Sequence, residues 1–282
     1  MNKFSFNGSL KTDSFGAQVL NDFFLYASQF RNCWFTIDVE NLKFIDANLC
    51  AELCLYCHLL KKKNNLKFYI DYYSLKGELN ILDRNGFAYF VVNDKSKFHP
   101  YDDRDTAIPL RAFKTENADG FADYVENKFL KQRGMANVSM FIKDKIMSSY
   151  CEIFDNVGIH ANTESAILCC GQYFPNLQEL KFSLTDYGDG FLKKIKEFTK
   201  GNENIIEASK AISWAVKGGS TKENNIKGGN GLKKIFMYCF NHNGILTIVS
   251  DGCFWELKNK TITTKTLNNF RKGTTIHLTF RF

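Results

Sequence analysis

The stretch Asp186-Tyr187-Gly188-Asp189-Gly190 follows an alternating apolar run in the second half of the chain. An aspartate and two glycines after a strand predict a tight turn, because glycine adopts positive φ at no steric cost. A helix-compatible segment carrying Glu152, Asn156 and His160 precedes this turn, and a glycine cluster at 228–231 follows it. Together these features indicate a site built around the end of one strand.

Length and charge limit the classes of protein that fit. The 282 residues are enough for two ordinary domains, each with its own core. The chain has 37 Lys and Arg against 30 Asp and Glu, a formal charge of +7, but its longest basic run is only Lys61-Lys62-Lys63. Nucleic-acid binding usually needs a denser basic stripe, so the dispersed charge predicts a solvated surface and no nucleic-acid partner.

Apolar residues are distributed in short periodic segments. No run approaches the roughly 20 apolar residues that span a bilayer, and the N-terminal residues lack an apolar signal-like region. Most of the nine cysteines lie inside apolar segments, which favours buried, reduced thiols over a disulfide framework. We therefore expect a soluble, cytoplasmic protein without a membrane partner.

Strand and helix signals alternate over residues 1–95, which predicts an α/β domain. Strands are predicted at 1–10, 33–39, 66–72 and 87–92, and helices at 14–30, 49–60 and 74–84. The following segment, 96–117, is polar and contains two of the three prolines, so it is predicted to be a linker with a short strand at 108–113. The charge cluster at 101–105 is predicted to be solvated surface.

Two short stretches of the first half, 35–38 and 44–49, carry a resemblance. Phe44-Ile45-Asp46-Ala47-Asn48-Leu49 resembles the strand-to-helix loop, I-D-S-S, of the STAS domain of anti-sigma-factor antagonists, a small α/β regulatory fold. In those antagonists a partner kinase phosphorylates the serine two residues after the aspartate. Asn48 occupies that position here, so the resemblance implies an interaction module without the phosphorylation switch.

The helix that follows contains Cys50, Cys54, Cys57 and His58, whose spacing matches both an iron–sulfur motif and a haem-attachment motif. The three cysteines also share one face of a helix, as small core residues would. Cluster ligands usually lie on loops, and this segment is rich in leucine, so a core helix is the favoured interpretation.

Helix and strand signals also alternate in the second half of the chain. Helices are predicted at 120–129, 139–160, 205–216 and 232–241, and strands at 166–173, 177–186 and 276–282. Glu152, Asn156 and His160 lie at i, i+4 and i+8, which places them along one side of a helix as either a solvated stripe or a group facing a cleft. In a cleft, Glu can act as a general base and an amide oxygen suits Mg²⁺.

Four motifs in this half resemble, in order and spacing, those of the GHKL family of ATP-binding proteins, which includes gyrases, heat-shock chaperones, mismatch-repair proteins, histidine kinases and anti-sigma-factor kinases. They are E-x-x-x-N-x-x-x-[HK] at 152–160, D-x-G-x-G at 186–190, G-x-G-L at 229–232 and G-T at 273–274. The resemblance implies a GHKL two-layer α/β sandwich with a mixed sheet over 118–282, after the STAS-like domain 1–95 and the linker 96–117.

The resemblance also implies ATP and Mg²⁺ as cofactors. Asp186 would contact the adenine amino group, Thr274 would help to close the adenine pocket, Asn156 would hold Mg²⁺ and Glu152 would be the catalytic base. Residues 220–231 would form the ATP lid. The remaining cofactor-binding residues would be His160, Gly188, Gly190, Gly229, Gly231 and Leu232.

Two functions stay open. The chain is expected to be an Mg-ATP-binding regulator, either a protein serine/threonine kinase that acts on a regulatory partner, or an ATP-gated switch or slow ATPase that signals through the STAS-like module. The expected partner is a regulatory protein, and a homodimer is compatible with that expectation. A DNA-acting ATPase is a weaker third class, and histidine autophosphorylation is disfavoured because only His58 lies on a helix ahead of the ATP domain.

Overall fold

Helices pack against both faces of a seven-stranded sheet, the largest sheet of this mixed α/β protein. The computed structural model describes residues 2–160, 162–163, 165–200, 205–219, 221, 231–269 and 272–282, and for 159 and 160 it describes the backbone alone. Within the described residues, no helix is both long enough and apolar enough to cross a membrane.

The elements follow in chain order. The helices are α1 (Ser14–Ala27), α2 (Leu49–Asn64), α3 (Ile81–Arg84), α4 (Phe87–Val91), α5 (Ala118–Tyr124), α6 (Met140–His160), α7 (Leu192–Phe198), α8 (Ala208–Val216) and α9 (Gly231–Asn241). The strands are β1 (Asn2–Ser5), β2 (Gly8–Leu10), β3 (Trp34–Asp38), β4 (Leu42–Ile45), β5 (Lys67–Tyr69), β6 (Ala107–Phe113), β7 (Ile167–Phe174), β8 (Glu179–Asp186), β9 (Ile245–Ser250), β10 (Cys253–Lys258), β11 (Thr261–Thr266) and β12 (Thr274–Arg281).

The strands of the large sheet lie in the order β11-β10-β9-β12-β8-β7-β6, and all six pairings are antiparallel. The expectation of a mixed sheet is therefore wrong for the described strands. Two-residue turns with positive φ, Asp251-Gly252 and Asn259-Lys260, join β9 to β10 and β10 to β11. Such turns match the right-handed twist of hairpins, which is why this part of the sheet forms from consecutive strands.

The segment predicted as a linker contributes an edge strand to this sheet, because β6 pairs with β7. Its charge cluster at 101–105 is mostly exposed, as predicted, but Asp102 is anchored. Asp102 Oδ1 is 2.8 Å from Nε of the buried Arg84 in α3, and Asp102 Oδ2 accepts a hydrogen bond from the Thr106 N–H at 2.7 Å. These bonds tie the start of β6 to the N-terminal helices.

The N-terminal strands form two small parallel sheets, β1-β3-β5 and β2-β4. The stretch predicted as a strand at 87–92 is instead α4. Asn85 Oδ1 accepts a hydrogen bond from the Phe87 N–H at 2.9 Å, and Gly86 has a φ of 86°. Phe87 and Val91 are both buried, and their four-residue spacing suits one helical face, so the apolar run packs as a helix.

Successive residues of the central strands point to opposite faces of the large sheet. Leu184 in β8 and Ile276 in β12 belong to the core beneath α5, α6, α8 and α9. Leu168 and Cys170 in β7 belong instead to the N-terminal core, where α2 packs on β7 and β8. The sheet thus contributes to two hydrophobic cores, with the N-terminal part of the chain on one face.

Helix α2 is a core helix, as its composition predicted. Cys50, Cys54 and Cys57 are buried in the N-terminal core. The helix ends at Asn65, whose φ of 53° and ψ of 41° give the left-handed conformation common at helix ends. Lys61, the first of three lysines in its last turn, interacts favourably with the negative end of the helix dipole.

Candidate functional site

Three polar side chains lie side by side at one end of the large sheet. Thr274 in β12 pairs with Asp186 in β8 on one side and with Ser250 in β9 on the other. All three are buried, and the Ser250 and Thr274 hydroxyl oxygens are 3.1 Å apart. Because residues two apart share a face, this polar row continues the columns that contain Leu184 and Ile276 and lies on the α6 side of the sheet.

Two aspartates hold the turn that follows β8. Asp186 Oδ1 accepts a hydrogen bond from the Gly188 N–H at 2.7 Å, which fixes an Asx turn. Gly190 has a φ of +75°, and a Cβ there would lie 2.6 Å from the Asp251 carboxylate oxygens. Asp251 Oδ2 accepts bonds from the two N–H groups that open α7, at 2.8 and 3.0 Å. Glycine is therefore required at position 190 by both conformation and space.

The other carboxylate of the turn faces lysines. Asp189 is 2.9 Å from Lys193 Nζ and 3.9 Å from Lys272 Nζ. The hydrogen bond from Lys193 lowers the pKa of Asp189 and raises the pKa of Lys193. The turn thus presents a buried carboxylate to the polar row and a second carboxylate to a cationic rim.

Glu152 and Asn156 lie in α6 at the margin of its buried face. Ile153 and Val157 beside them are buried in the core under the sheet, whereas both polar residues are half-buried. Glu152 Oε2 is 3.6 Å from Nζ of Lys234 in α9. Glu152 is therefore in contact with α9. His160 ends α6, and its side chain lies outside the described residues.

The first residue of α9 touches α6 directly. A Cβ on Gly231 would lie 3.0 Å from both Glu152 Cβ and the Ser149 carbonyl oxygen, so glycine permits the close approach. The N-terminus of an eleven-residue helix, with its outward N–H groups, is thereby placed beside Glu152. Leu232 is half-buried and packs against the core. Gly229 and lid residues 220 and 222–230 lie outside the described residues.

The available donors and acceptors fit Mg-ATP. The buried Asp186 carboxylate and Thr274 hydroxyl provide a polar recess at the sheet end, and Gly231 opens a helix N-terminus of the kind that binds phosphate. No group of three or more His, Cys, Asp or Glu side chains within the described residues could hold a metal ion. Mg²⁺ commonly takes one or two protein ligands beside phosphate and water oxygens, and Asn156 offers one amide oxygen.

Sequence reasoning missed Ser250, Asp251 and Lys234. Asp251-Gly252 is a recognisable hairpin signal, but that signal gives no reason to place the hairpin beside the D-x-G-x-G turn. Lys234 follows the G-x-G-L motif, and the sequence pattern predicts only a surface residue of an amphipathic helix there. Each of the three depends on contacts between distant segments.

Asn48, at the phosphoserine position of the STAS resemblance, is buried on the opposite face of the sheet. Its Nδ2 is 3.0 Å from Thr12 Oγ1, 3.0 Å from Ser183 Oγ and 3.1 Å from His277 Nδ1. Ser183 and His277 are paired residues of β8 and β12. The loop that carries Asn48 is therefore enclosed by the chain's own sheet.

Two further polar contacts surround Asn48 at this face. Asp46 Oδ1 is 2.8 Å from Lys181 Nζ, and Glu52 Oε2 is 4.0 Å from His277 Nε2. Asp46, Glu52 and His277 are all buried. Buried polar groups need partners, so the Asp46–Lys181 ion pair and the bonds of Asn48 hold the start of α2 on the sheet.

Two comparisons with known proteins identify no relative of this chain. A scan against protein-family models finds no match, and a search of curated proteins gives no match either. The GHKL interpretation consequently depends on the four motifs and on where their residues lie.

Proposed function

We propose that the chain is a cytoplasmic Mg-ATP-binding regulator of the GHKL kind that phosphorylates a serine or threonine of a regulatory partner protein. One observation carries the proposal. The buried row of Asp186 and Thr274 lies on the sheet face that packs against α6, the helix with Glu152 and Asn156. Residues from three separate motifs thus share one side of the protein.

Separate residues of the chain would bind the adenine, hold Mg²⁺ and accept the proton. Asp186 would accept a hydrogen bond from the adenine amino group, and the backbone at Gly188 and Gly190 would lie close to the ring. Asn156 would hold Mg²⁺ through its amide oxygen. Bound Mg-ATP would supply the transferable phosphoryl group and the charge of the metal. Glu152 would accept the proton of the partner's hydroxyl group.

Lys234 would act as a positioning residue. Its ammonium lies 3.6 Å from Glu152 Oε2, and this ion pair would favour one orientation of the carboxylate. Gly231 keeps the two helices close enough for this contact. Exchange of Lys234 for methionine should therefore reduce turnover more than it reduces nucleotide affinity.

A second candidate function is an ATP-gated switch with slow or no hydrolysis. It is favoured because β8 and β12 carry polar residues on both faces of the sheet. In β8 and β12, Asp186 and Thr274 face α6, while Ser183 and His277 face Asn48 of the STAS-like unit. Asp186 is three residues from Ser183, and Thr274 is three residues from His277. A movement of these strand ends on nucleotide binding would therefore be passed to the STAS-like unit over a short distance. The output would be altered contact with a regulatory partner or a second protomer.

One labelling experiment tests both candidates. The protein is incubated with γ-labelled ATP and Mg²⁺, alone and with proteins encoded beside its gene, and Glu152→Gln is the matched variant. Label on a partner serine or threonine that disappears with Glu152→Gln supports the kinase. Tight ATP binding with slow or no phosphate release supports the switch. Absence of ATP binding would refute both.

A further inference from the structure

A cavity of about 130 Å³ lies on the STAS-like face of the large sheet, away from Asp186 and Glu152. It is enclosed by α2 and α4 of the N-terminal unit and by β6 and β7 of the sheet. Its lining residues are Cys54, Cys57, His58, Lys61, Phe90, Val91, Leu110, Ala112, Ala166 and Leu168. The cavity therefore lies at the junction between the two parts of the chain.

The wall of this junction cavity is almost entirely uncharged. Six of the lining residues are aliphatic or aromatic, and the two thiols are buried. Burial raises the pKa of Cys54 to about 12 and raises that of Cys57 well above its ordinary value, so both are neutral thiols at pH 7. Buried thiols pack as small apolar groups.

Lys61 is the cationic group of the wall. Its Nζ is 3.5 Å from the Phe90 carbonyl oxygen, and among the described residues no carboxylate forms an ion pair with it. Burial lowers the pKa of Lys61, since the ammonium is partly removed from water. Burial also lowers the pKa of His58, with Lys62 and Lys61 adding to the effect, so His58 is mostly neutral at pH 7.

We propose that this cavity binds a small monocarboxylate with a compact apolar body, and that Lys61 pairs with its carboxylate. An apolar cavity of about 150 Å³ holds one benzene molecule, so 130 Å³ suits a single ring or a short branched chain. The carboxylate would supply the counter-charge that the cavity wall does not provide. The site is independent of the nucleotide site.

Such a ligand would strengthen the contact between the N-terminal unit and the sheet. It would touch α2 and α4 through Cys57 and Phe90, and the sheet through Leu110 and Leu168. Ligands that bind only the folded state raise its stability, so an increase in unfolding temperature with ligand concentration is expected.

Calorimetry and ligand-observed NMR test the proposal with benzoate, cyclohexanecarboxylate and 3-methylbutanoate as probes, and with benzyl alcohol as the uncharged comparison for benzoate. At least one carboxylate should bind the wild-type protein. Lys61→Met should weaken that carboxylate by about tenfold or more, because it removes a charged hydrogen-bond donor, and should leave benzyl alcohol unaffected. Lys62→Met, an exposed neighbour, should change affinity by no more than about twofold.

A cavity-filling variant separates this site from others. Ala166→Leu adds volume to the wall and should abolish binding while the protein remains folded, as checked by its unfolding temperature. No binding of any carboxylate probe up to about 10 mM would overturn the proposal. Binding that survives both Lys61→Met and Ala166→Leu would place the ligand elsewhere and would overturn it equally.

Discussion

Asp186→Asn tests the adenine-reading role with little change in shape. Asp186 is 1% exposed, and its Oδ1 accepts the Gly188 N–H at 2.7 Å. Asparagine keeps an oxygen for this bond, so the Asx turn should survive. The second carboxylate oxygen becomes an NH₂ group, which turns an acceptor into a donor. The adenine amino group would then meet a donor where it needs an acceptor.

The size of the effect follows from this single contact. A hydrogen bond to a charged group contributes about 1.5–3 kcal/mol. At about 1.4 kcal/mol per factor of ten, the Kd for ATP should rise roughly 10- to 150-fold. In the variant, two donors would face each other, and a buried donor without an acceptor costs free energy. The rise in Kd should therefore lie in the upper part of that range. Guanine has a carbonyl oxygen at the corresponding position, so affinity for GTP relative to ATP should increase.

Titration calorimetry with a non-hydrolysable ATP analogue and Mg²⁺ measures the change. Asp189→Asn is the matched control in the same turn, because Asp189 pairs with Lys193 and Lys272 instead of facing the polar row. The control should alter the Kd by no more than about twofold. Thermal unfolding of both variants establishes that each is folded.

Equal ATP affinity in the wild-type protein and Asp186→Asn would refute the adenine-reading role. An equal loss of affinity in Asp189→Asn would also refute it, because the effect would then belong to the turn as a whole. A loss restricted to Asp186→Asn, with a shift toward GTP, is the expected pattern.

Three further predictions concern turnover, stability and pH. Glu152→Gln should retain ATP binding and lower turnover about 100-fold or more, measured as phosphate transfer or release, because the amide cannot accept a proton. Asn48→Ala should lower the free energy of unfolding by about 1–3 kcal/mol in urea titrations, because Ser183 loses a buried hydrogen-bond partner. Burial opposes ionisation of Asp102, but hydrogen bonds from the Ala107 N–H and Arg84 outweigh it and lower the pKa of Asp102. The ionised carboxylate therefore stabilises the fold fully above the unfolded pKa of about 3.9. This stabilisation should be lost as the pH falls through the lower pKa of the folded state.

Each of these predictions has a control. Unchanged turnover in Glu152→Gln would remove Glu152 as the base. Asn7→Ala, which removes an exposed asparagine bond to the Ser5 carbonyl oxygen, should be nearly neutral, and a cost as large as that of Asn48→Ala would contradict the buried role. For Asp102→Asn, the stability difference from wild type should shrink as the pH falls below about 4, and a difference independent of pH would argue against ionisation as its source.

Periodic sequence signals identified much of the framework. Helix α6, strands β7 and β8 and the intervening turn follow the predicted segments within a few residues. The apolar run 87–92 was misassigned because such a short run fits a strand or a buried helix equally well, and the buried spacing of Phe87 and Val91 became visible only in three dimensions. The antiparallel pairing of all seven strands was equally hidden, since strand direction depends on the path of the chain.

The candidate site was predictable only where motifs are local. The positions of Asp186, Glu152 and Asn156 followed from their motifs, whereas Ser250 joined the row through its register with Thr274. The enclosed position of Asn48 could not be predicted, because it requires α2 to pack on the reverse face of β8 and β12. Sequence neighbours specify turns and helix faces, and the contacts between distant segments come from packing.

The central place of β12 has a consequence for the order of folding. Residues 274–281 fill the gap between β8 and β9, so a sheet without them would be divided into two three-stranded pieces, β6-β7-β8 and β9-β10-β11, with open edges toward the gap. Open edges invite pairing with other chains, and strands that pair over long sequence distances form slowly. During synthesis, the sheet cannot close before β12 is made, so the β8 and β9 edges stay unpaired until then.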